Sequence, residues 1–193
     1  MNIAASNIKS RPVYQPLCPE PAATRHWLVL EANAQGADGC RALVHAFVPV
    51  QAALQVWSVG PLALDGLPVT ALADTAALAS ELAQAAGAFR VGDRLYVQGT
   101  EPFIWDVASL ACAAGLTPEQ VRLAHAGSLR RRAWCAHCHG FTENVSTSTV
   151  PCADCGRHLL VRDHFSRRHG AFMGVMVDAE APGQRPAVQE VFP

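Results

Sequence analysis

The chain has almost no lysine and little charge of either sign. Of its 15 basic residues only Lys9 is a lysine, and charged residues make up 16% of the 193. A formal net charge of −1 argues against a general nucleic-acid-binding protein, which needs a strong basic excess. The remaining basic residues are arginines, which favour planar, bidentate or stacked contacts. Half of the residues are hydrophobic, so the chain can bury a packed core.

The sequence also lacks a recognisable membrane span and a secretory signal. Its longest uncharged stretch covers residues 42–64, but Pro49, Gln51, Gln55 and Pro61 interrupt it. No basic segment followed by an apolar run is present near the first residues. We therefore expect a soluble, cytoplasmic protein without a membrane partner. In a reducing cytosol, closely paired cysteines indicate metal ligands or redox groups rather than structural disulfides.

The distribution of proline and apolar residues predicts four segments. Several prolines and a lack of apolar periodicity predict an extended arm over residues 1–24. Alternating strand and helix patterns predict an α/β domain over residues 25–128. Residues 129–180 hold a predicted four-cysteine metal ribbon and a segment rich in arginine and histidine, and residues 181–193 form a tail.

Short apolar runs and capping residues predict the elements of the α/β domain. A helix is expected over residues 74–86, and a second one from a Thr100 cap to about Gly115. Residues 117–120 have the spacing of a capping box before the last strand. The predicted strands cover residues 27–32, 54–59, 94–99 and 121–126. This alternation is typical of a small parallel sheet with helices on its faces.

The second half of this domain resembles part of a known fold. The run LYVQGTEPFIWDVASLACAAGLTPEQVRLAHA, residues 95–126, is similar to the end of the nicotinamide-binding domain of ferredoxin-reductase-like flavoenzymes. In those enzymes a strand, a Cys-Gly-Pro turn, a helix and a Gly-x-x-Pro-Glu-x-(Ile/Val) segment follow in that order. Only Gly99 of the Cys-Gly-Pro turn is present, and Gly36 and Gly39 lack the Thr-Pro that follows the glycine-rich turn there. We therefore expect a degenerate version of this domain that has lost nucleotide binding.

Two Cys-x-x-Cys pairs in the C-terminal third predict a metal site. Two intervening residues let one tight turn direct both thiolates at one ion, and two such turns complete a tetrahedron. Gly140 and Gly156 follow the pairs, where such turns need permissive backbone angles. The alternation of Val145, Thr147 and Thr149 predicts a strand of the hairpin that joins the turns. The predicted ligands, in a C-terminal zinc-ribbon-like β module, are Cys135, Cys138, Cys152 and Cys155.

The spacing of the ligands leaves zinc and iron open as the metal. A rubredoxin-like iron site also uses two Cys-x-x-Cys-Gly turns, and residues 152–156 fit that pattern. Residues 135–139 match the haem-attachment pattern Cys-x-x-Cys-His, but this leaves the second pair unexplained. A thioredoxin-like dithiol would make the matched spacing accidental. The remaining cysteines, Cys18, Cys40 and Cys112, are expected to be incidental thiols.

Basic residues are dense around and after the second cysteine pair. Residues 159–161 and 171–177 predict strands, and residues 163–169 predict a polar turn between them. Arginines at 130–132 or Arg157 are expected to offset the negative charge of the thiolates. Such a surface suits an acidic partner protein or an anionic cofactor. The candidate partner-binding residues are Arg157, Arg162, His164, Arg167, Arg168 and His169.

The C-terminal region resembles a known family as well. The order Cys-x-x-Cys-His, a hairpin, CADCGRHLLVRDHFSRRHGAFMG and VDAE, from Cys135 to about Gly183, is similar to the DmmA-like small subunit of bacterial dimethylamine monooxygenase. The resemblance implies a subunit of an NADPH- and O2-dependent complex that converts dimethylamine to methylamine and formaldehyde. It implies a haem-dependent oxygenase component and a reductase as partners. The matching positions supply no dedicated catalytic acid, base or nucleophile.

Three hypotheses for the function follow. The leading one is an accessory subunit of an oxidoreductase complex, which docks on the catalytic or reductase component through a structural zinc ribbon. The second is a rubredoxin-like electron carrier with iron at the four cysteines. The third is a nucleic-acid-binding zinc ribbon, which the net charge and the scarcity of lysine disfavour.

Overall fold

The computed structural model describes residues 10–64 and 66–193, and the chain divides into two units. One unit comprises Tyr14–Ser128, and the other comprises Leu129–Pro193 together with residues 10–13. The first nine residues of the predicted arm lie outside the described residues. Each unit contains its own five-stranded sheet.

A parallel sheet forms the centre of the first unit. All neighbouring strands run parallel, in the spatial order β3-β2-β1-β4-β5. This confirms the predicted parallel sheet and its four predicted strands. The additional strand, β3, has four residues that are exposed or half-buried, and it carries no continuous apolar run that could have predicted it. The strands are β1 Arg25–Glu31, β2 Leu54–Val59, β3 Val69–Leu72, β4 Asp93–Gly99 and β5 Val121–His125.

Three α-helices connect these strands: α1 Ala32–Ala46, α2 Thr75–Ala85 and α3 Glu101–Ala113. The last two confirm the predicted helices. The first was not predicted, because Gly36 interrupts its pattern and has a non-helical backbone, with φ 72° and ψ 172°, that kinks the helix. No helix in the described ranges is long and apolar enough to cross a bilayer.

Helices cover both faces of the parallel sheet, which explains why the middle residues of β1 and β4 are apolar on both faces. Successive residues of β1 point to opposite faces, so Trp27 and Val29 pack with α2 and α3, whereas Leu28 and Leu30 pack with α1. All four side chains are buried. Full burial of a large apolar side chain stabilises the fold by about 1.5–3 kcal/mol. Other buried members of these two clusters are Val44, Phe47, Leu78, Leu82, Tyr96, Ile104 and Val107.

The later part of the predicted arm packs against the first unit. Leu17 is buried in the apolar cluster that α1 covers. The backbone N–H of Glu20 donates to the Tyr96 hydroxyl at 2.8 Å, and the Glu20 carboxylate accepts from Arg94 at 2.7 Å. These contacts hold the arm to β4.

The start of α3 differs from the prediction. Thr100 precedes the helix, but its side chain caps no helical N–H group. Its hydroxyl and its backbone N–H instead donate to one oxygen of the Glu31 carboxylate, at 2.8 Å and 2.6 Å. The predicted capping box before β5 is confirmed, since the Gln120 side chain accepts from the Thr117 N–H at 3.0 Å.

The second unit contains a mixed sheet in the order β7-β6-β10-β9-β8. β10 runs parallel to β6, and the other neighbouring pairs are antiparallel. The strands are β6 Arg131–Cys135, β7 Phe141–Val145, β8 Thr149–Pro151, β9 His158–Ser166 and β10 Ala171–Met176.

Two predictions for this unit are wrong. Residues 145–149 do not form one strand, because β7 ends and β8 begins within that stretch. Residues 163–169 are not all turn, because β9 continues to Ser166 and the turn covers residues 167–170. The strand tolerates the polar segment through a bulge, in which the positions between Val161 and Phe165 have no regular pairing with β10.

The last residues of the chain pair with the segment between β7 and β8. The Ser148 N–H donates to the Gln189 carbonyl at 2.8 Å, and the Phe192 N–H donates to the Ser146 carbonyl at 2.9 Å. The Phe192 ring also packs on the buried guanidinium of Arg131, whose Cζ lies 3.7 Å from the ring centroid. The end of the predicted tail is therefore part of the second unit.

Candidate metal centre

The four predicted ligands converge in the second unit. All four sulfur atoms lie within 4.8 Å of one another. The Cys135 and Cys155 sulfurs are 3.9 Å apart, and the Cys138 and Cys152 sulfurs are 3.6 Å apart. Sulfurs bound at about 2.3 Å around one tetrahedral ion would be separated by about 3.8 Å. The donor set therefore fits a tetrahedral metal ion, which these cysteines could hold.

Two backbone turns of the same shape position the ligands. In each turn, the N–H of the first cysteine donates to the carbonyl five residues later. The N–H four residues later donates back to the carbonyl of that cysteine. The two distances are 2.9 and 2.9 Å in the turn that begins at Cys135, and 2.8 and 3.0 Å in the turn that begins at Cys152. The repeated Cys-x-x-Cys spacing thus produces a repeated local structure.

The glycine requirement of the first turn differs from the prediction. His139 has a left-handed backbone with φ 66°, and Gly156 occupies the equivalent position of the second turn with φ 70°. Gly140 lies in a different environment, because a Cβ atom there would displace the Asp154 carboxylate. The first turn therefore places a histidine in the strained position and reserves its glycine for close packing.

The ligands are partly enclosed by the sheet. Cys135 and Cys152 are buried, and Leu159 of β9 packs against them without exposure to solvent. The buried Thr142 hydroxyl of β7 accepts from the Ala153 N–H, within the second turn, at 3.0 Å. Strands β7 and β9 thereby fix the two turns relative to each other.

The surroundings of Cys155 favour its thiolate form. The Arg157 backbone N–H bonds to its sulfur. This bond, together with hydrogen bonds from Cys138, Cys152 and the Arg157 side chain, lowers the pKa of Cys155 to about 6. A bond from the Gly140 N–H also favours the Cys138 thiolate, but desolvation and the neighbouring cysteines outweigh it and raise the pKa of Cys138 to about 12. A bound cation would stabilise the thiolate form of these cysteines.

Two arginines that were expected to offset the thiolate charge have other partners. The Arg131 guanidinium pairs with Asp163 at 2.5 Å, and that of Arg132 pairs with Glu143 at 2.5 Å. Arg157 does contact a ligand sulfur, as predicted. Charge compensation by protein side chains at this site therefore involves Arg157.

The candidate partner-binding residues lie on or next to β9. Arg162 and His164 belong to the strand itself, and Arg157 belongs to the second cysteine turn. Arg167, Arg168 and His169 lie in the turn between β9 and β10. Three of the six, Arg162, Arg167 and Arg168, are exposed. Their role in binding a partner stays a prediction.

Trp134, the residue before the first ligand, was not among the predicted site residues. Its ring stacks on His169, with centroids 4.9 Å apart and planes inclined by 6°, and the His139 ring lies 5.2 Å away. The alternation of β6 contained the signal. Arg131, Ala133 and Cys135 are buried, which places Trp134 on the opposite face of the strand.

The three other cysteines lie in the first unit, outside this cluster. Cys18 and Cys112 are exposed, whereas Cys40 is buried. Burial raises the pKa of Cys40 and of Cys112, so neither thiol is activated.

Comparison with known protein families explains both units together. A family model for the C-terminal domain of the dimethylamine monooxygenase subunit DmmA-like matches residues 132–175. The model for the N-terminal domain of the same family matches residues 6–121, more than half of the chain. The chain belongs to the DmmA-like family. The resemblance that the cysteine region carries is thus confirmed and extends to the α/β unit.

A curated relative gives the family a biochemical context. The chain is 40% identical over 95 residues to the delta subunit of a heme-dependent oxidative N-demethylase from Ectopseudomonas mendocina (strain ymp). The match covers 49% of this chain and 54% of the relative, so the chain spans about half the length of that protein. No solved structure matches the chain.

Proposed function

We propose that this chain is an accessory subunit of a haem-dependent oxidative N-demethylase complex, in which it docks on the catalytic or reductase component. The observation that carries the proposal is the family match over both units, combined with a cluster of four cysteine sulfurs. Four thiolates fill a tetrahedral coordination sphere and leave no position for water or substrate. Such a site stabilises the fold of the second unit rather than performing catalysis.

The proposed metal is one zinc ion. Cys135, Cys138, Cys152 and Cys155 would hold it, and the Arg157 side chain would offset part of the remaining negative charge. The bound ion would cross-link the two turns. In a small β module, the free energy of metal binding contributes directly to the free energy of folding. The second unit would then present a rigid surface to the other components.

The α/β unit has features that favour docking over nucleotide binding. Its strand order is shared with doubly wound dinucleotide-binding folds, where ligands bind at the carboxyl ends of the central strands. This supports a degenerate nicotinamide-binding domain of the ferredoxin-reductase type. At that position the Glu31 carboxylate is bonded to Thr100, and it lies so close to Gly99 that a Cβ there would collide with it. A fixed carboxylate would repel a pyrophosphate.

The names of the family and of the relative support a proposal for the reaction of the complex. We propose that the complex uses NADPH and O2 to convert dimethylamine to methylamine and formaldehyde in the cytoplasm. The partners of this chain would be the haem oxygenase component and the reductase. Its own contribution would be to stabilise or align these components for electron transfer.

A second candidate is electron transfer by iron at the same four cysteines. It is favoured by the two matched turns, in each of which a backbone N–H bonds to the second cysteine sulfur, from Gly140 to Cys138 and from Arg157 to Cys155. Hydrogen bonds to sulfur tune the potential of thiolate-bound iron. The proposed zinc site and this iron site differ in colour and in redox activity.

Co-expression of the chain with the haem component and the reductase tests the proposal. We expect the three to purify together, and we expect amine-dependent NADPH oxidation to fall when the chain is omitted. Cys138→Ser should impair assembly, whereas Cys112→Ser, at an exposed cysteine outside the cluster, should not. Full activity of a complex that lacks the chain would contradict the proposal.

A further inference from the structure

An aromatic surface lies on the face of the second sheet opposite the buried ligand Cys135. Trp134 of β6 is paired in register with Phe141 of β7 on one side and with Met173 of β10 on the other. Residues paired across strands point to the same face. Phe141 is 39% exposed, and Trp134 and Met173 are half-buried.

Two histidines extend this apolar strip. The His169 ring lies parallel to the Trp134 ring at 4.9 Å and 6.2 Å from the Phe141 ring, and the His139 ring lies 5.2 Å from Trp134. We call Trp134, His139, Phe141, His169 and Met173 the Trp134 face. These groups are held by three strands, a cysteine turn and the β9–β10 turn, so the Trp134 face is a preorganised surface.

The charge beside the Trp134 face is positive. Arg167 and Arg168 immediately precede His169 in the turn, and both are exposed. Among the described residues neither forms an ion pair. The nearby carboxylate of Glu143 is already paired with Arg132 at 2.5 Å. An apolar centre of Trp and Phe with arginine at its edge is the composition of a protein-binding hot spot.

We propose that the Trp134 face binds a carboxylate-rich protein surface on another component of the N-demethylase complex, with Trp134 as the central anchor. This inference rests on the proposed function. Arg167 and Arg168 would pair with carboxylates at the edge of the interface, where charge mainly sets the association rate and the choice of partner. A protein partner fits better than a nucleic acid, because two exposed arginines beside an apolar centre provide few phosphate contacts.

The test measures binding of the full chain, in its metal-replete form, to the purified haem component and to the reductase at low and high salt. We expect Trp134→Ala to weaken binding to one of them by about tenfold or more. The double variant Arg167→Glu and Arg168→Glu should weaken it similarly and reduce its dependence on salt. Val188→Ala, at a 65% exposed residue of the same unit, and Arg41→Glu, at an exposed residue of α1, are the matched controls and should bind as the wild type does.

Metal content and the melting profile show whether each variant is folded. Should Trp134→Ala lose its metal, the charge-reversal variant provides the test, because the side chains that it changes are exposed. Wild-type affinity in the metal-replete variants would overturn the inference while leaving the proposed function intact. A wild-type chain that binds neither component would overturn both. If the chain binds RNA but neither protein component, and the charge reversal abolishes that binding, the Trp134 face binds nucleic acid. This result would also overturn the inference.

Discussion

His139 and Gly140 are neighbours in one cysteine turn, but their backbone conformations and contacts differ. His139 accepts the left-handed backbone, with φ 66°, while Gly140 lies against the Asp154 carboxylate of the other turn. A left-handed non-glycine residue costs of order 1–3 kcal/mol and persists where its surroundings enforce it. Here the Trp134 ring beside His139 gives the histidine a contact that glycine would lack.

Gly140→Ala should destabilise the second unit. The added Cβ would meet mainly the carboxylate end of the exposed Asp154 side chain, which can rotate away, so we expect a small loss of at most about 1 kcal/mol in the free energy of unfolding. Thermal or denaturant unfolding of the metal-loaded chain measures it. Gly87→Ala is the matched control, because a Cβ there meets no atom within 4 Å. The additional change Asp154→Ala should restore part of the loss; a loss unchanged by it would contradict the steric explanation.

Cys138→Ser should abolish stoichiometric metal binding and unfold the second unit. Serine is a poor ligand for a thiolate site, and metal affinity in such modules is folding free energy. The melting transition of the α/β unit should persist, because its clusters contain none of the four ligands. Cys112→Ser should change neither metal content nor melting, since this exposed thiol lies outside the cluster. Full metal occupancy in Cys138→Ser would contradict the four-cysteine assignment.

At the scale of elements, an ion pair between a half-buried arginine and a buried aspartate joins β1 to β4. The Asp93 side chain is fully buried and binds Arg25, with N–O distances of 2.9 and 2.6 Å. Burial alone would raise the pKa of Asp93. The hydrogen bonds from the Arg25 side chain and the Arg90 N–H outweigh it, and they hold the pKa below its usual value.

This lowered pKa predicts how the α/β unit responds to acid. A carboxylate with a lower pKa in the folded state stabilises the fold above its unfolded pKa, and this stabilisation is lost as pH falls through the folded pKa. The stability of the first unit should therefore fall below about pH 4. Asp93→Asn should lower the free energy of unfolding by about 1–3 kcal/mol at neutral pH. The stability of this variant should also depend less on pH in the acid range. Asp38→Asn, at an exposed pair, is the control and should behave as wild type in unfolding at each pH. An equal acid dependence in wild type and Asp93→Asn would contradict the assignment.

Glu31 links the end of β1 to the start of α3. Its carboxylate satisfies both the backbone N–H and the hydroxyl of Thr100, as a helix cap would. Glu31→Ala should lower the unfolding free energy by about 0.5–2 kcal/mol. Glu31→Gln keeps a hydrogen-bond acceptor, so its loss in unfolding free energy should be smaller.

Calorimetry of the wild type with NADPH should show no binding. Tight binding would contradict the proposal that the Glu31 carboxylate repels a pyrophosphate at the carboxyl ends of the central strands.

The elements that could be predicted from the sequence are those whose apolar spacing is visible within a few consecutive residues. Strands β1, β2 and β4 are apolar because helices cover both faces, and α2 and α3 have regular apolar spacing. Helix α1 was missed because Gly36, whose backbone is not helical, interrupts its pattern. The predicted β9 was too short, because the polar residues that follow Val161 lie in a bulge. Only the pairing with β10 reveals this bulge.

At the scale of the whole molecule, the metal ligands were predictable and the Trp134 face was not. The geometry of the two Cys-x-x-Cys pairs can be predicted from the sequence, because hydrogen bonds within a few residues close each turn. The Trp134 face joins residues from three strands and two turns. Their contact depends on the order β7-β6-β10-β9, which leaves no local signal in the sequence.

The most direct test of the account is metal analysis with a visible spectrum of the chain, purified from cells supplied with both zinc and iron. The account predicts one zinc per chain and no colour in the wild type. It predicts the same in Cys112→Ser and no stoichiometric metal in Cys138→Ser. One iron per chain with a red, reducible chromophore would contradict the structural role and make the chain an electron carrier. A wild-type chain without stoichiometric metal would contradict the metal centre itself.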